Sequence, residues 1–381
     1  MADNLLAPKL DSKVGVVGLG IMGAGIVEVF AGRGYSVVAV AESAQAVSVG
    51  QQNLAKSINR AIERGKLTAQ SAKDIEQNIS WSPVLSELAD CDLVIEAAPE
   101  LLDLKLEIFS QLSQITKPTC ILSTNTSSLS VTQISDATSR PENVIGFHFF
   151  NPAPVQKFIE LVFTGYSSSE VINEAFAIGR SLDKYVAQVA DQPGFIVNKL
   201  LLVYLNHAVQ ILDSGIATKL DIDSAMRELA QYPMGPLELV DLIGIDTCVE
   251  ILKTIYQDSG NELHKPAEGL TKLLLEGHKG RKSGSGFYDY TTKPMPPTSD
   301  KDEIKSAVFI ELETALLGNA VAMEASGYAS KIDIDNGMKL GCGLPQGPFE
   351  RIDQIGLKTL RERQINLATS TGNPHFAPLP L

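Results

Sequence analysis

The segment 14–30, VGVVGLGIMGAGIVEVF, runs from β-branched residues through three spaced glycines into an apolar stretch of helical character. Few folds accommodate that order. Gly18, Gly20 and Gly23 form a Gly-x-Gly-x-x-Gly loop between a strand and a helix, the arrangement that opens a doubly wound α/β sheet and receives a dinucleotide. Gly18 allows the tight turn, Gly20 lets the backbone approach a pyrophosphate, and Gly23 lets helix and strand pack closely. Ile21 and Met22 complete the loop, and the helix start offers N–H groups and a partial positive charge to the phosphates. An acid for the adenosine ribose is expected about 20 residues further on. The second strand ends instead as VVAVAES, with Ala41 in the expected place and Glu42 one residue later. Either Glu42 bends back to the ribose diol, or the diol lacks an acidic partner. No Lys or Arg follows to welcome a 2′-phosphate, so the cofactor reads as NAD rather than NADP.

The rest of the first half continues the same alternation. Segments 14–20, 35–41, 92–98, 120–125 and 144–150 read as strands, and 23–33, 44–64 and 103–115 as helices, which predicts a parallel sheet covered by helices. From residue 192 the apolar positions fall at helical spacing. The Pro-rich, charged stretch TTKPMPPTSDKDE at 291–303 reads as a linker. The domains are therefore expected at 1–191 (Rossmann), 192–290 (helical) and 304–381 (helical). The last two are copies. Residues 219–244 align without gaps to 331–356, with 12 identities in 26 positions at an offset of 112, far above chance.

Composition narrows the partners. A net charge of −13 opposes nucleic-acid binding, which needs a basic surface. No apolar run approaches the ~18 residues of a membrane span, and MADNLLAPKL lacks the basic flank and apolar core of a secretory signal. Cys91, Cys120, Cys248 and Cys342 are widely separated, with neither a disulfide framework nor zinc spacing. Reduced thiols in a cytoplasm and no bound metal are the expectation.

One further stretch, GFHFFNPAPVQKFIE at 146–160, sets His148 among three phenylalanines and ends in Glu160. A buried imidazole is costly unless both nitrogens find partners. His148 is thus either a satisfied core residue or a base held in an apolar pocket by Glu160.

Taken with GLGIMGAGI, five more motifs decide between these: EAAPELLDLK, STNTSSL, DQPGFIVNKLL, MGPLELVDLIG and GRKSGSGFYDY. In this order and spacing the chain resembles the (S)-3-hydroxyacyl-CoA dehydrogenases, the 3-hydroxybutyryl-CoA type among them. The resemblance runs from about residue 13 to 290, and the repeat extends it to the C-terminus. It departs at Ala41, where the family usually has Asp. The resemblance implies a Rossmann domain followed by an all-α part, and reversible NAD-dependent oxidation of a 3-hydroxyacyl-CoA in fatty acid metabolism. It makes His148 the general base and acid, oriented by Glu160. It sets Ser127 and Asn198 near C3 and the thioester carbonyl. Glu100, Lys105, Ser127, Asn151 and Lys282 match cofactor contacts. Dehydrogenases of free hydroxy acids, of the gulonate or 3-hydroxyisobutyrate type, and the non-enzymatic lens crystallins share the glycine loop. The 3-hydroxyisobutyrate type uses a catalytic Lys in place of a His–Glu pair. A crystallin-like protein would tolerate loss of His148, Ser127 or Asn198, and all three are present.

An acyl-CoA substrate needs cations. Lys56, Arg60 and Arg64 recur every four residues and share one helical face. They form either a CoA phosphate site or a solvated face. In single-copy relatives the helical domain pairs about a two-fold axis, so a second copy in the same chain implies an internal pseudo-dimer, with the protein a monomer or weak homo-oligomer.

Overall fold

The computed structural model describes residues 12–291 and 299–380, so most of the expected linker, 292–298, lies outside the described residues. The chain divides into two compact units after Gln192.

Among the described residues the first unit is built on eight strands: β1 (Lys13–Val17), β2 (Ser36–Val40), β3 (Ile79–Ser82), β4 (Leu93–Glu96), β5 (Ile121–Thr124), β6 (Val144–Phe149), β7 (Phe158–Phe163) and β8 (Tyr185–Ala190). Their order is β3-β2-β1-β4-β5-β6-β7-β8. The first six run parallel, β7 is antiparallel to β6, and β8 is parallel to β7. The chain reverses its direction of sheet growth between β1 and β4, the switch point at which such sheets open a ligand crevice. Helices α1 (Ile21–Ala31), α2 (Ala44–Glu63), α3 (Ala69–Gln77), α4 (Leu102–Ile115), α5 (Val131–Ser135) and α6 (Ser169–Ser181) complete the unit.

Five strands coincide with the β-rich runs of the sequence. The other three escaped that reading for local reasons. β3, ISWS, is a short edge strand with no fully buried residue. β7 carries Glu160 inside an apolar run, and β8 is broken by an exposed Gln188. Both are held by ladder pairing, which short-range pattern does not reveal. Val14, Val16, Ile26, Phe30, Phe147, Phe149, Ile159 and Leu161 share one buried core.

The second unit is helical: α7 (Val197–Asp213), α8 (Lys219–Glu228), α9 (Pro236–Ile243), α10 (Ile245–Ser259), α11 (Glu268–Leu275), α12 (Asp302–Ala325), α13 (Lys331–Asn336), α14 (Pro348–Ile355) and α15 (Leu357–Thr371). The second copy thus begins at Asp302, inside the stretch expected as linker. The duplication is wider than the aligned residues: α9 and α10 recur as α14 and α15 with both ends displaced by the same 112 positions. Its chemistry recurs too. Asp223 accepts the amides of Leu237 (2.8 Å) and Glu238 (3.2 Å), and Asp335 accepts those of Phe349 (2.7 Å) and Glu350 (3.2 Å). Each carboxylate satisfies donors that a helix start leaves unpaired. The Arg227–Glu238 ion pair returns as Lys339–Glu350.

The copies share a core in which Val203 and Leu263 of the first meet Ala315, Leu367 and Phe376 of the second. Lys305 reaches Glu228 at 2.7 Å across the same seam. Among the described residues α12 alone is long and apolar enough to cross a membrane, and half of its apolar window is buried in this unit, as a core helix requires.

Candidate active site

The glycine loop joins β1 to α1. Gly18 has φ +89°, and a Cβ there would lie 2.6 Å from the Ala98 nitrogen, so only glycine fits between β1 and the end of β4. A Cβ on Gly23 would meet the Gly18 carbonyl oxygen at 1.8 Å. At Gly20 nothing lies within 4 Å, leaving the backbone bare toward the crevice. No side chain caps α1 and no acid occupies its first turn, so its N-terminal donors face a cleft of about 1030 Å³. Gly18 to Met22, Ala41, Glu42 and Ala97 to Pro99 line that cleft. Glu42 is exposed there, beside Ser43, which caps α2 by accepting the Ala46 amide at 3.1 Å. Gly50, unremarked in the sequence, belongs to the same construction: a Cβ would strike Leu19 at 2.5 Å.

The spacing of His148 and Glu160 is the spacing of a ladder. β6 and β7 are antiparallel with His148 directly opposite Glu160, and Nδ1 lies 2.6 Å from Oε2. Alternation along β6 sends Phe147 and Phe149 into the core, where their rings stack 5.3 Å apart, and sends His148 to the other face. There the ring of Phe150 meets the imidazole edge-on at 4.6 Å. Glu160 is wholly buried and His148 is 6% exposed. A buried carboxylate on Nδ1 fixes the orientation of the ring and, in the neutral imidazole, places the N–H on Nδ1.

Ser127 lies just beyond β5, the parallel neighbour of β6, so it and His148 stand at the same sheet edge. Asn125, which sequence reasoning passed over, ties the two strand ends together by accepting the Phe149 amide at 2.8 Å. The Ser127 loop hangs on Glu100, whose Oε1 accepts the hydroxyl of Thr126 (2.5 Å) and the amides of Ser127 (3.1 Å) and Ser128 (3.3 Å). Burial pushes the Glu100 pKa up, but the Lys105 ammonium and these donors outweigh it and hold the carboxyl below its ordinary range. Lys105 is 1% exposed and binds Glu96 at 2.7 Å and Glu100 at 3.3 Å. Glu96 was missed as well, although it opens the EAAPE motif.

Comparison with known proteins settles the family. The NAD-binding domain model of 3-hydroxyacyl-CoA dehydrogenases matches residues 13–192, and the C-terminal domain model of the same enzymes matches 194–290 and again 312–381. The chain belongs to the 3-hydroxyacyl-CoA dehydrogenase family. It is 37% identical over 278 residues to a 3-hydroxybutyryl-CoA dehydrogenase of Clostridioides difficile, covering 73% of this chain and 99% of that protein. It is also 37% identical over 284 residues to the human mitochondrial hydroxyacyl-coenzyme A dehydrogenase, covering 73% and 90%. Among solved structures, a 3-hydroxybutyryl-CoA dehydrogenase from Escherichia coli K12 superposes with TM-score 0.89 at 27% identity over 97% of both chains. The (S)-3-hydroxybutyryl-CoA dehydrogenase of Ralstonia eutropha gives 0.71 at 36% identity over 74% of this chain and 100% of that one.

The remaining expected residues of this dehydrogenase family divide by place. Asn151 is exposed just after β6. Lys56, Arg60 and Arg64 are exposed opposite the buried face of α2, with no ion pair among the described residues, and Arg64 is already the helix C-cap. Asn198 and Lys282 belong to the second unit. Asn198 is half-buried at the second position of α7, and Lys282 pairs with Asp246 at 2.5 Å. Among the described residues no group of His, Cys, Asp or Glu could hold a metal ion.

Proposed function

We propose that this protein interconverts (S)-3-hydroxyacyl-CoA and 3-oxoacyl-CoA esters with NAD, and that 3-hydroxybutyryl-CoA is its preferred substrate class. The observation that carries the reading is the buried His148–Glu160 pair, 2.6 Å apart, on the sheet edge where β1 also opens the cofactor cleft. NAD, when bound, supplies the hydride acceptor. His148 takes the hydroxyl proton through Nε2 during oxidation and returns it in reduction, while Glu160 keeps the ring oriented and offsets its charge. Ser127 and Asn198 donate hydrogen bonds to the substrate oxygens, which aligns C3 and stabilises charge developing there. Gly18 to Gly23 hold the pyrophosphate, Glu42 the adenosine ribose, and Glu100, Lys105, Asn151 and Lys282 support the remainder of the cofactor site. Lys56, Arg60 and Arg64 meet the CoA phosphates. The names of the relatives support the substrate class. Cys91, Cys120 and Cys248 are buried thiols, which fits a reducing cytoplasm.

A rate panel of 3-hydroxyacyl-CoA esters and free 3-hydroxy acids, with NAD and NADP in parallel, tests the reading. The four-carbon CoA ester with NAD is expected to lead. A free acid turning over as fast would replace the CoA reading, and a preference for NADP would overturn the assignment of Glu42. On the same panel Glu42→Ala should raise KM for NAD by about tenfold, the worth of one charge-assisted hydrogen bond of roughly 1.5 kcal/mol.

Assembly follows from the duplication. The second copy occupies the place a second subunit would take, because one apolar patch is satisfied by any copy presenting its match. Light scattering of the full-length protein is expected to give the mass of one chain. A stable dimer at low concentration would show that the second copy does not cover that face.

A further inference from the structure

Glu96 closes β4 with no exposure at all, and both of its carboxylate oxygens are engaged. Oε1 accepts the Ala98 amide at 2.6 Å and Lys105 Nζ at 2.7 Å; Oε2 accepts Lys105 Nζ at 2.9 Å and the Thr124 hydroxyl at 2.7 Å. Burying an ion pair seldom raises stability above that of apolar side chains of similar volume, so its retention here calls for another reason. What the pair touches supplies one. On one side, Ala97 and Ala98 are the residues against which Gly18 packs, and they line the cofactor cleft. On the other side, Lys105 lies against Glu100, whose Oε1 gathers the Thr126–Ser128 loop.

We propose that Glu96 and Lys105 are positioning residues that lock Glu100 as a carboxylate and thereby hold the Ser127 loop in register with the wall of the cofactor cleft. The proposal rests on the role assigned above to Ser127. It also specifies how Lys105 supports the cofactor site: at 1% exposure its ammonium acts through Glu100. The chain of contacts is continuous, from Ala98 through Glu96, Lys105 and Glu100 to the Ser127 amide, and each link is a charged hydrogen bond or ion pair. Among the described residues Lys105, on α4, is the cation facing Glu100. Glu96, on β4, is the nearest acid, and the Thr126–Ser128 loop brings only neutral donors.

Lys105→Met keeps the bulk and removes the charge. Glu100 then retains the burial that disfavours its ionised form and loses the cation that opposed it, so it takes a proton at higher pH. A protonated carboxyl is a poor acceptor for four donors, and the loop loosens. The readout is kcat for 3-oxoacyl-CoA reduction from about pH 5.5 to 8. In this direction the reaction uses protonated His148, so the imidazole adds no acid limb. The wild type and Lys105→Arg should stay level on the acid side. Lys105→Met should lose about tenfold per pH unit below the new Glu100 pKa, with a smaller change in KM for NADH. Where the single variant does not fold, Glu96→Gln/Lys105→Met removes both charges together, leaves no orphaned carboxylate at position 96, and should show the limb shifted less far, because the repulsion of the Glu96 charge is lost with the Lys105 attraction. Carbon NMR of glutamate-labelled protein, with Glu100 assigned by Glu100→Gln, follows the carboxyl without any substrate. An upward shift of its titration in either variant supports the relay even if no hydroxyacyl-CoA turns over, an outcome that would instead strike the proposed function. A Glu100 titration that does not move, or a loss of rate independent of pH, overturns it.

Discussion

Replacing His148 by Gln is expected to lower kcat by roughly 10²–10⁴, the usual worth of a positioned general base, while NADH affinity stays near that of the wild type. Gln fills much of the same space and can still bond to Glu160, so the hairpin should persist. What disappears is the group that accepts and returns the proton. The cofactor cleft is built from the ends of β1, β2 and β4, and does not include His148. Stopped-flow turnover and NADH fluorescence titration separate the two effects. Near-wild-type turnover would sink the mechanism; a parallel loss of NADH binding would show that the imidazole holds the cofactor site together.

The second large effect belongs to Gly23. A methyl there would lie 1.8 Å from the Gly18 carbonyl oxygen, and that oxygen sits on backbone that cannot rotate away. The loop must open. Overpacking of this kind typically costs 1–3 kcal/mol, and because α1 is displaced from the pyrophosphate the expected loss of NAD affinity is about 10–100-fold. Gly20→Ala separates the causes. Its methyl meets no protein atom within 4 Å, so thermal stability should hold while NAD affinity falls. Calorimetry and NADH titration on both variants would show it. Equal stability of Gly23→Ala and the wild type would mean that the loop relaxes freely and that Gly23 is not set by helix–strand packing.

These two sites differ in how openly the sequence displays them. The glycine loop is local: strand, turn and helix follow one another, so spacing alone assigns a task to each glycine. The His148–Glu160 pair is a cross-strand contact. Its twelve-residue spacing became interpretable only through the family resemblance, because nothing in the residues around Glu160 shows that they pair with β6. Glu96 shows the limit most clearly. A carboxylate at the end of a buried strand reads as the solvated close of that strand, and nothing nearby announces that Lys105, nine residues on, turns inward to meet it. The duplicated helices were legible because identity at a fixed offset needs no structural context. That Asp223 and Asp335 each anchor a helix start was not, since each contact joins residues fourteen positions apart on two different helices.

The direct opposition of His148 and Glu160 in the β6–β7 ladder has a consequence for how the chain can vary. Position across a ladder is set by hydrogen-bond register, so the carboxylate stays opposite the imidazole as long as the β6–β7 pairing holds. One residue inserted within β7 itself would turn Glu160 to the opposite face and bring an aliphatic neighbour against the imidazole. Between Phe158 and Glu160, therefore, a single added residue is expected to break the contact with His148.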